Sequence, residues 1–192
     1  SDWSRQEWNA YVARHTEAYW LSFDTDVQER HARLIAGAKD ALTVAAFSEP
    51  TRDVTELTLY AEDHPGLFSR FAGACAILGM NIVDAKIFTT RDGMALDTLW
   101  VQDQHGGAIA EERRVQRLEA TIRKVLAGEV LPPDLIAQRF KGESRAEAFQ
   151  VAPQVYIDNN ASDVYTVIEV NGLDRPGLLH ALTRALFHLG LT

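Results

Sequence analysis

The chain has 192 residues, 46% hydrophobic and 24% charged, which is enough apolar material for one or two cores and excludes wholesale disorder. A net charge of −8 at pH 7 leaves no basic footprint for nucleic acid or for an anionic membrane surface, and no apolar run approaches the ~18 residues needed to span a bilayer. The single cysteine, Cys75, excludes an intramolecular disulfide, reads as a buried inert thiol inside a helix, and fits a cytoplasmic location.

The chain opens Ser-Asp-Trp, without Met and without the regions of a signal peptide, as expected of a piece of a longer protein. Residues 4–20 carry Trp8, Tyr11, Val12, Tyr19 and Trp20 among polar residues, partly at helical spacing, and read as an amphipathic connector. Asp24 or Thr25 caps a helix through His31, Leu34 and Ile35 to about Lys39, so residues 1–40 form a helical linker. Then the period changes. Ala41 to Ser48 and Val54 to Glu62 are β-prone runs separated by a turn-forming stretch, an antiparallel hairpin. After a turn beginning at Asp63, the positions Leu67, Phe68, Phe71, Ala74, Cys75 and Leu78 fall on one face of a helix that Gly79 stops.

Asn81 to Thr90 and Met94 to Val101 flank Asp92-Gly93, a strong hairpin signal. The stripe Val115, Leu118, Ile122 and Val125 predicts a second helix ending at Gly128, which completes a β-β-α-β-β-α unit over 41–128. Pro132-Pro133 opens a short helix to about Phe140, Lys141 to Glu147 is polar, and 129–150 reads as a linker.

The chain then repeats itself. Asp63-His-Pro-Gly-Leu67, with its helix ending in Leu78-Gly79, returns as Asp174-Arg-Pro-Gly-Leu178 ending in Leu189-Gly190, an offset of 174 − 63 = 111. Between 63–79 and 174–190 seven residues are identical, where chance gives roughly one, so internal duplication is the economical account. At the same offset Val44 pairs with Val155, Thr55 with Thr166 and Leu57 with Ile168, so the leading hairpin belongs to the unit. The strand before each Asp-x-Pro-Gly strand is expected at the sheet edge, antiparallel to its neighbour. Residues 151–192 hold only the first half of a second copy, whose stripe Leu178, Leu179, Leu182, Leu186 and Leu189 is expected to pack on another chain, as a homo-oligomer, or on the first copy.

A strand that turns directly into a helix leaves backbone N–H groups of the first helical turn unpaired, a natural anion site. Pro65 suits the first helical position, and Gly66 lets a ligand approach the backbone. Asp63 either pins the turn or accepts from a ligand ammonium group, and Asn81 either donates and accepts at the edge of the same cleft or merely stops the helix. One such corner by itself reads first as a plain strand-to-helix turn. Two copies favour a bipolar ligand such as an amino acid.

The Asp-x-Pro-Gly-Leu corner followed by Leu78-Gly-Met-Asn-Ile82 resembles ACT domains, small modules that bind amino acids and regulate attached enzymes. Over the whole chain, Ala18-Tyr-Trp-Leu21, His31-Ala-Arg-Leu34, Ala95-Leu-Asp97 with Val101-Gln-Asp103, the stretch from Gly128 to Leu135, and Thr166-Val-Ile-Glu-Val170 resemble the C-terminal regulatory region of the bifunctional uridylyltransferase/uridylyl-removing enzymes of bacterial nitrogen control. The resemblance implies an α+β fold of ferredoxin-like modules, each an antiparallel sheet with helices on one face. It implies glutamine as effector, the PII signal protein as partner of the complete enzyme, and magnesium for the complete enzyme, with no cofactor in this stretch.

It further implies glutamine sites at Asp63, His64, Pro65, Gly66, Leu67, Phe68 and Asn81 in copy one, and at Asp174, Arg175, Pro176, Gly177 and Leu178 in copy two. The exchange of His64 for Arg175 is expected to make the copies differ. The catalytic motifs of such enzymes, a Gly-Ser pair followed by spaced Asp residues and a His with a His-Asp pair, are not legible, and the six histidines are scattered without metal-ligand spacing. Two other readings stay open: a free-standing ACT regulator, and ACT units that serve assembly alone.

Overall fold

The computed structural model describes residues 3–109, 111–132, 135–136 and 152–191, so most of the short helix expected after Pro132 and all of the polar stretch 141–147 lie outside the described residues. Three helices come first: α1 (Arg5–Arg14), α2 (Glu17–Ser22) and α3 (Thr25–Gly37). α1 begins with a reciprocal cap in which the Glu7 N–H donates to Ser4 Oγ at 3.3 Å and the Ser4 N–H donates to the Glu7 carboxylate at 2.7 Å. There follow β1 (Leu42–Glu49), β2 (Val54–Glu62), α4 (Leu67–Ile77), β3 (Asn81–Thr89), β4 (Met94–Gln102) and α5 (Glu112–Leu126). The second copy contributes β5 (Gln154–Asp158), β6 (Val167–Asn171) and α6 (Leu178–His188).

The four strands of copy one form an antiparallel sheet in the order β1-β2-β4-β3, with β1 at the edge as its sequence position predicts. β2 and β4 are central and apolar on both faces, and each face has its own cover. Leu57, Leu59, Ala61, Ala95, Leu99 and Val101 meet α4 and α5 through Leu67, Phe71, Ala74, Cys75, Leu118, Ile122 and Val125. Cys75 is fully buried, and burial pushes its thiol up to about 12, so it is inert.

On the opposite face Val54, Tyr60, Leu96 and Trp100 meet Tyr19, Phe23 and Val27. The N-terminal helices are therefore more than a connector: they close the second face of the sheet, because strands with apolar residues in both phases of the alternation need a lid on each side. Polar groups fix that lid. Arg30 forms a two-pronged ion pair with Glu56, which is 1% exposed. His31 lies between the Tyr19 hydroxyl, 3.0 Å from Nδ1, and the Thr98 hydroxyl, 3.1 Å from Nε2.

The hairpin of copy two reproduces that of copy one residue for residue. Val155 faces Val170 as Val44 faces Leu59, and Asp158 faces Val167 as Phe47 faces Glu56, the same register moved by 111. α6 packs against α4, so the first copy is one partner of the leucine stripe, the second of the two alternatives expected for it. The β5–β6 hairpin stays exposed, with Ile157 65% accessible.

Candidate ligand site between the two copies

Each Asp-x-Pro-Gly corner is a type II turn. The Leu67 N–H donates to the His64 carbonyl at 3.1 Å with Gly66 at φ +83°, ψ 1°, and the Leu178 N–H donates to the Arg175 carbonyl at 3.0 Å with Gly177 at φ +75°, ψ 12°. Glycine is demanded there because the third residue of this turn has positive φ, and proline suits the second because its ring presets φ. This corrects the sequence expectation: Pro65 stands in the turn, Gly66 is the N-cap, and Leu67 is the first helical residue. The Leu67 amide is consumed by the turn. The first helical bond runs from Arg70 N–H to Gly66 O at 3.1 Å, which leaves the amides of Phe68 and Ser69 without a backbone acceptor.

α4 and α6 lie side by side and antiparallel, so the corner that starts each helix lies at the end of the other. Two cavities result. The copy-one corner, Asp63 to Ser69, shares a cavity of about 380 Å³ with Thr89 and Asp97 of its own sheet and with Leu186, Phe187 and Leu191 of copy two. The copy-two corner, Asp174 to Leu178, shares one of about 980 Å³ with residues from Gly79 to Ala85 and from Asp103 to Gly106. Both sizes fall in the range of small-molecule pockets.

The structure thus brings together Asp63, His64, Pro65, Gly66, Leu67 and Phe68, but it places Asn81 with Asp174, Arg175, Pro176, Gly177 and Leu178 instead of with Asp63. Adjacency in sequence is misleading here: β3 starts at the far end of α4 from its corner, where the antiparallel partner helix begins. The covers also differ between the copies. A β-carbon at Gly66 would stand 3.6 Å from the Phe187 ring, whereas one at Gly177 would stand 3.2 Å from Ile136 Cγ2 and 3.8 Å from Ala76 Cβ.

Within the smaller cavity the Thr89 hydroxyl donates to Asp63 Oδ2 at 2.6 Å. Asp97 is 1% exposed and its Oδ1 has no hydrogen-bond partner. Burial first and the neighbouring Asp63 second push its carboxyl up to about 8, against a backbone hydrogen bond at Phe88 that lowers it. Asp97 enters the sequence expectations only as part of a resemblance and not as a site residue. The signal was there: it is an acid on the phase of β4 that Ala95, Leu99 and Val101 mark as inward.

In the larger cavity Asp103 accepts from the backbone of His105 at 2.8 Å and of Gly107 at 3.1 Å, and these bonds hold its carboxyl below the usual range. Among the described residues no group of three or more His, Cys, Asp or Glu is placed to hold a metal ion, and no helix is long and apolar enough to cross a membrane.

Residues 55–120 match the ACT domain family model. Over its whole length the chain is 47% identical to a bifunctional uridylyltransferase/uridylyl-removing enzyme of Bradyrhizobium sp. (strain ORS 278) and 48% identical to one of Rhodopseudomonas palustris. Over 97% of its length it is 47% identical to one of Rhodospirillum rubrum. The chain spans about a fifth of the length of these relatives, 21%, 21% and 20%.

Proposed function

We propose that this chain, which carries an ACT domain and is similar from end to end to part of the bifunctional uridylyltransferase/uridylyl-removing enzymes, is an amino-acid-sensing regulatory region whose effector is glutamine. The observation that carries the reading is the composite character of both cavities: each pairs a helix corner of one copy with the helix end of the other. A ligand seated there touches both copies at once, so it favours the arrangement of α4 against α6 that fits it. Unpaired amides at the corner suit a carboxylate, and the acidic and hydroxyl groups beside them suit an ammonium or amide group.

A differential affinity of ~1–3 kcal/mol between two arrangements is the usual size of such coupling. In the longer enzyme this shift biases uridylylation against uridylyl removal on the PII protein, in the cytoplasm. Magnesium is part of the same proposal for the complete enzyme, not for this stretch. Titration calorimetry of this chain with glutamine, glutamate, glycine and phenylalanine tests the reading. Saturable heat with glutamine supports it, and heat with none of the four overturns it in favour of copies paired for assembly alone.

A further inference from the structure

Asp97 occupies the inward face of β4, level with Leu59 of β2 and Ile87 of β3, between two core residues, Ala95 and Leu99. A sheet needs no acid there, and an apolar side chain would pack at no desolvation cost. Yet the carboxyl is buried, one of its oxygens is unpartnered, and it lines the 380 Å³ cavity together with the helix corner. Among the described residues that line the cavity with it there is no lysine or arginine. The corner brings Asp63 and His64, whose Nδ1–H donates to the Pro65 carbonyl at 3.2 Å, β3 brings Thr89, and α6 brings Thr183, Leu186 and Phe187. The Thr183 hydroxyl is committed to the Leu179 carbonyl at 2.8 Å. Two acids and the unpaired amides of Phe68 and Ser69 around one small cavity describe a receptor for a zwitterion.

Resting on the reading of this cavity as an amino-acid site, we propose that Asp97 receives the ammonium group of the bound amino acid, with the ligand carboxylate at the Phe68 and Ser69 amides. With its carboxyl pushed up to about 8, unoccupied Asp97 is mostly protonated at pH 7. An ammonium group beside it favours the carboxylate, so occupation of the cavity passes the Asp97 proton to the buffer. The cavity therefore selects against ligands that lack a cationic end. Affinity for an amino acid rises between pH 6 and pH 8, as Asp97 gives up its proton.

Calorimetry of the full chain with glutamine at pH 7, in phosphate and in Tris, counts the protons released, because the two buffers differ in ionisation enthalpy. The expected result is release of roughly half to one proton per glutamine bound in this cavity, with 4-carbamoylbutanoate, which lacks the ammonium group, binding at least about tenfold more weakly. Asp97→Asn is expected to lose the proton release and to bind glutamine at least about tenfold more weakly. Its melting temperature at pH 8 should match or exceed that of the parent chain, since a buried acid is gone. Glutamine binding without buffer dependence, or with unchanged affinity in Asp97→Asn, overturns the role of Asp97 and leaves the amino-acid site standing. Absence of binding by every amino acid tried overturns both. The proton count and the analogue comparison need only the parent chain, so they decide the matter even if the variant misfolds.

Discussion

Ser69 and His180 hold the same place in the two copies, 111 residues apart, and they touch. His180 Nδ1–H donates to the Ser69 carbonyl at 2.7 Å, and the Ser69 hydroxyl lies 3.3 Å from the same nitrogen. A residue in contact with its own repeat-mate lies on the pseudo-two-fold axis that relates α4 to α6. Phe187 over Gly66 and Ala76 near Gly177 are the matching pair off that axis, since 187 − 76 is again 111. The two helices therefore meet as the halves of a symmetric dimer would, inside one chain.

That contact is sensitive to acid. A carbonyl only accepts, so Nδ1 carries the proton, and the buried Nε2 has no partner. Burial, opposed by the bond to Ser69, holds the imidazole below its ordinary value, so the folded state binds fewer protons than the unfolded one as pH falls past about 6.5. The seam between α4 and α6 is expected to loosen below that pH. Hydrogen exchange of the α6 amides, corrected for intrinsic rates, should show less protection at pH 5 than at pH 7.5. In His180→Asn, which keeps a donor near that position and cannot ionise, the difference should shrink, and an unchanged pH dependence would count against the assignment.

The N-terminal lid has its own acid response. Burial lowers His15 to about 4 and His31 to about 3, both well below the ordinary 6.5. Each contributes stability that is intact above about 6.5 and declines as pH falls toward its folded value, by roughly 1.4 kcal/mol per pH unit per group at the steepest. Thermal melts between pH 7 and pH 4 should fall steeply. His31→Gln, at some cost in stability at pH 7, should flatten the curve. A midpoint that hardly moves across that range would refute the buried, neutral state of both rings.

Gly73 lies in the middle of α4, where alanine is normally favoured by ~1 kcal/mol. Here a β-carbon would stand 2.7 Å from Pro132 Cβ and 2.9 Å from His180 Nδ1. Gly73→Ala is therefore expected to destabilise the chain by about 1–3 kcal/mol and to push α6 off α4. Denaturant melts check the sign. A more stable variant would mean that the helices do not approach as closely as they do here.

At the corners the strain is conformational. Alanine at φ near +80° costs about 1–2 kcal/mol whatever the space. Gly66→Ala should cost about that much, because Phe187 is at ordinary contact distance, while Gly177→Ala should cost more, because Ile136 stands at 3.2 Å. The order of the two midpoints in urea is the test, and equal midpoints would remove Ile136 as a cover.

Much of this was legible in the residues. The hairpin at Asp92-Gly93 forms with Gly93 at φ +81°, the stripes of α4 and α5 face the sheet, and the edge position of β1 follows from the repeat. Other features were not legible, each for a physical reason. The type II turn was misjudged because Pro-Gly suits either a turn or a helix start, and only the Leu67-to-His64 hydrogen bond distinguishes them. Tyr19 reads as part of a connector because a polar helix with scattered aromatics shows no clear stripe, and His31 as part of a linker helix, although both rings are fully buried beneath the sheet.

By itself the sequence determined the duplication, the order of strands and helices, and the glycine-bearing corners, since these depend on local backbone preference and on the period of apolar residues along a few turns. The tertiary structure alone decided which corner meets Asn81, which ring covers Gly66, and that Asp97 is left with an unpartnered oxygen. Those outcomes depend on how α6 lies against α4, and a helix face that is apolar enough to seek a partner carries no information about the direction in which the partner will run.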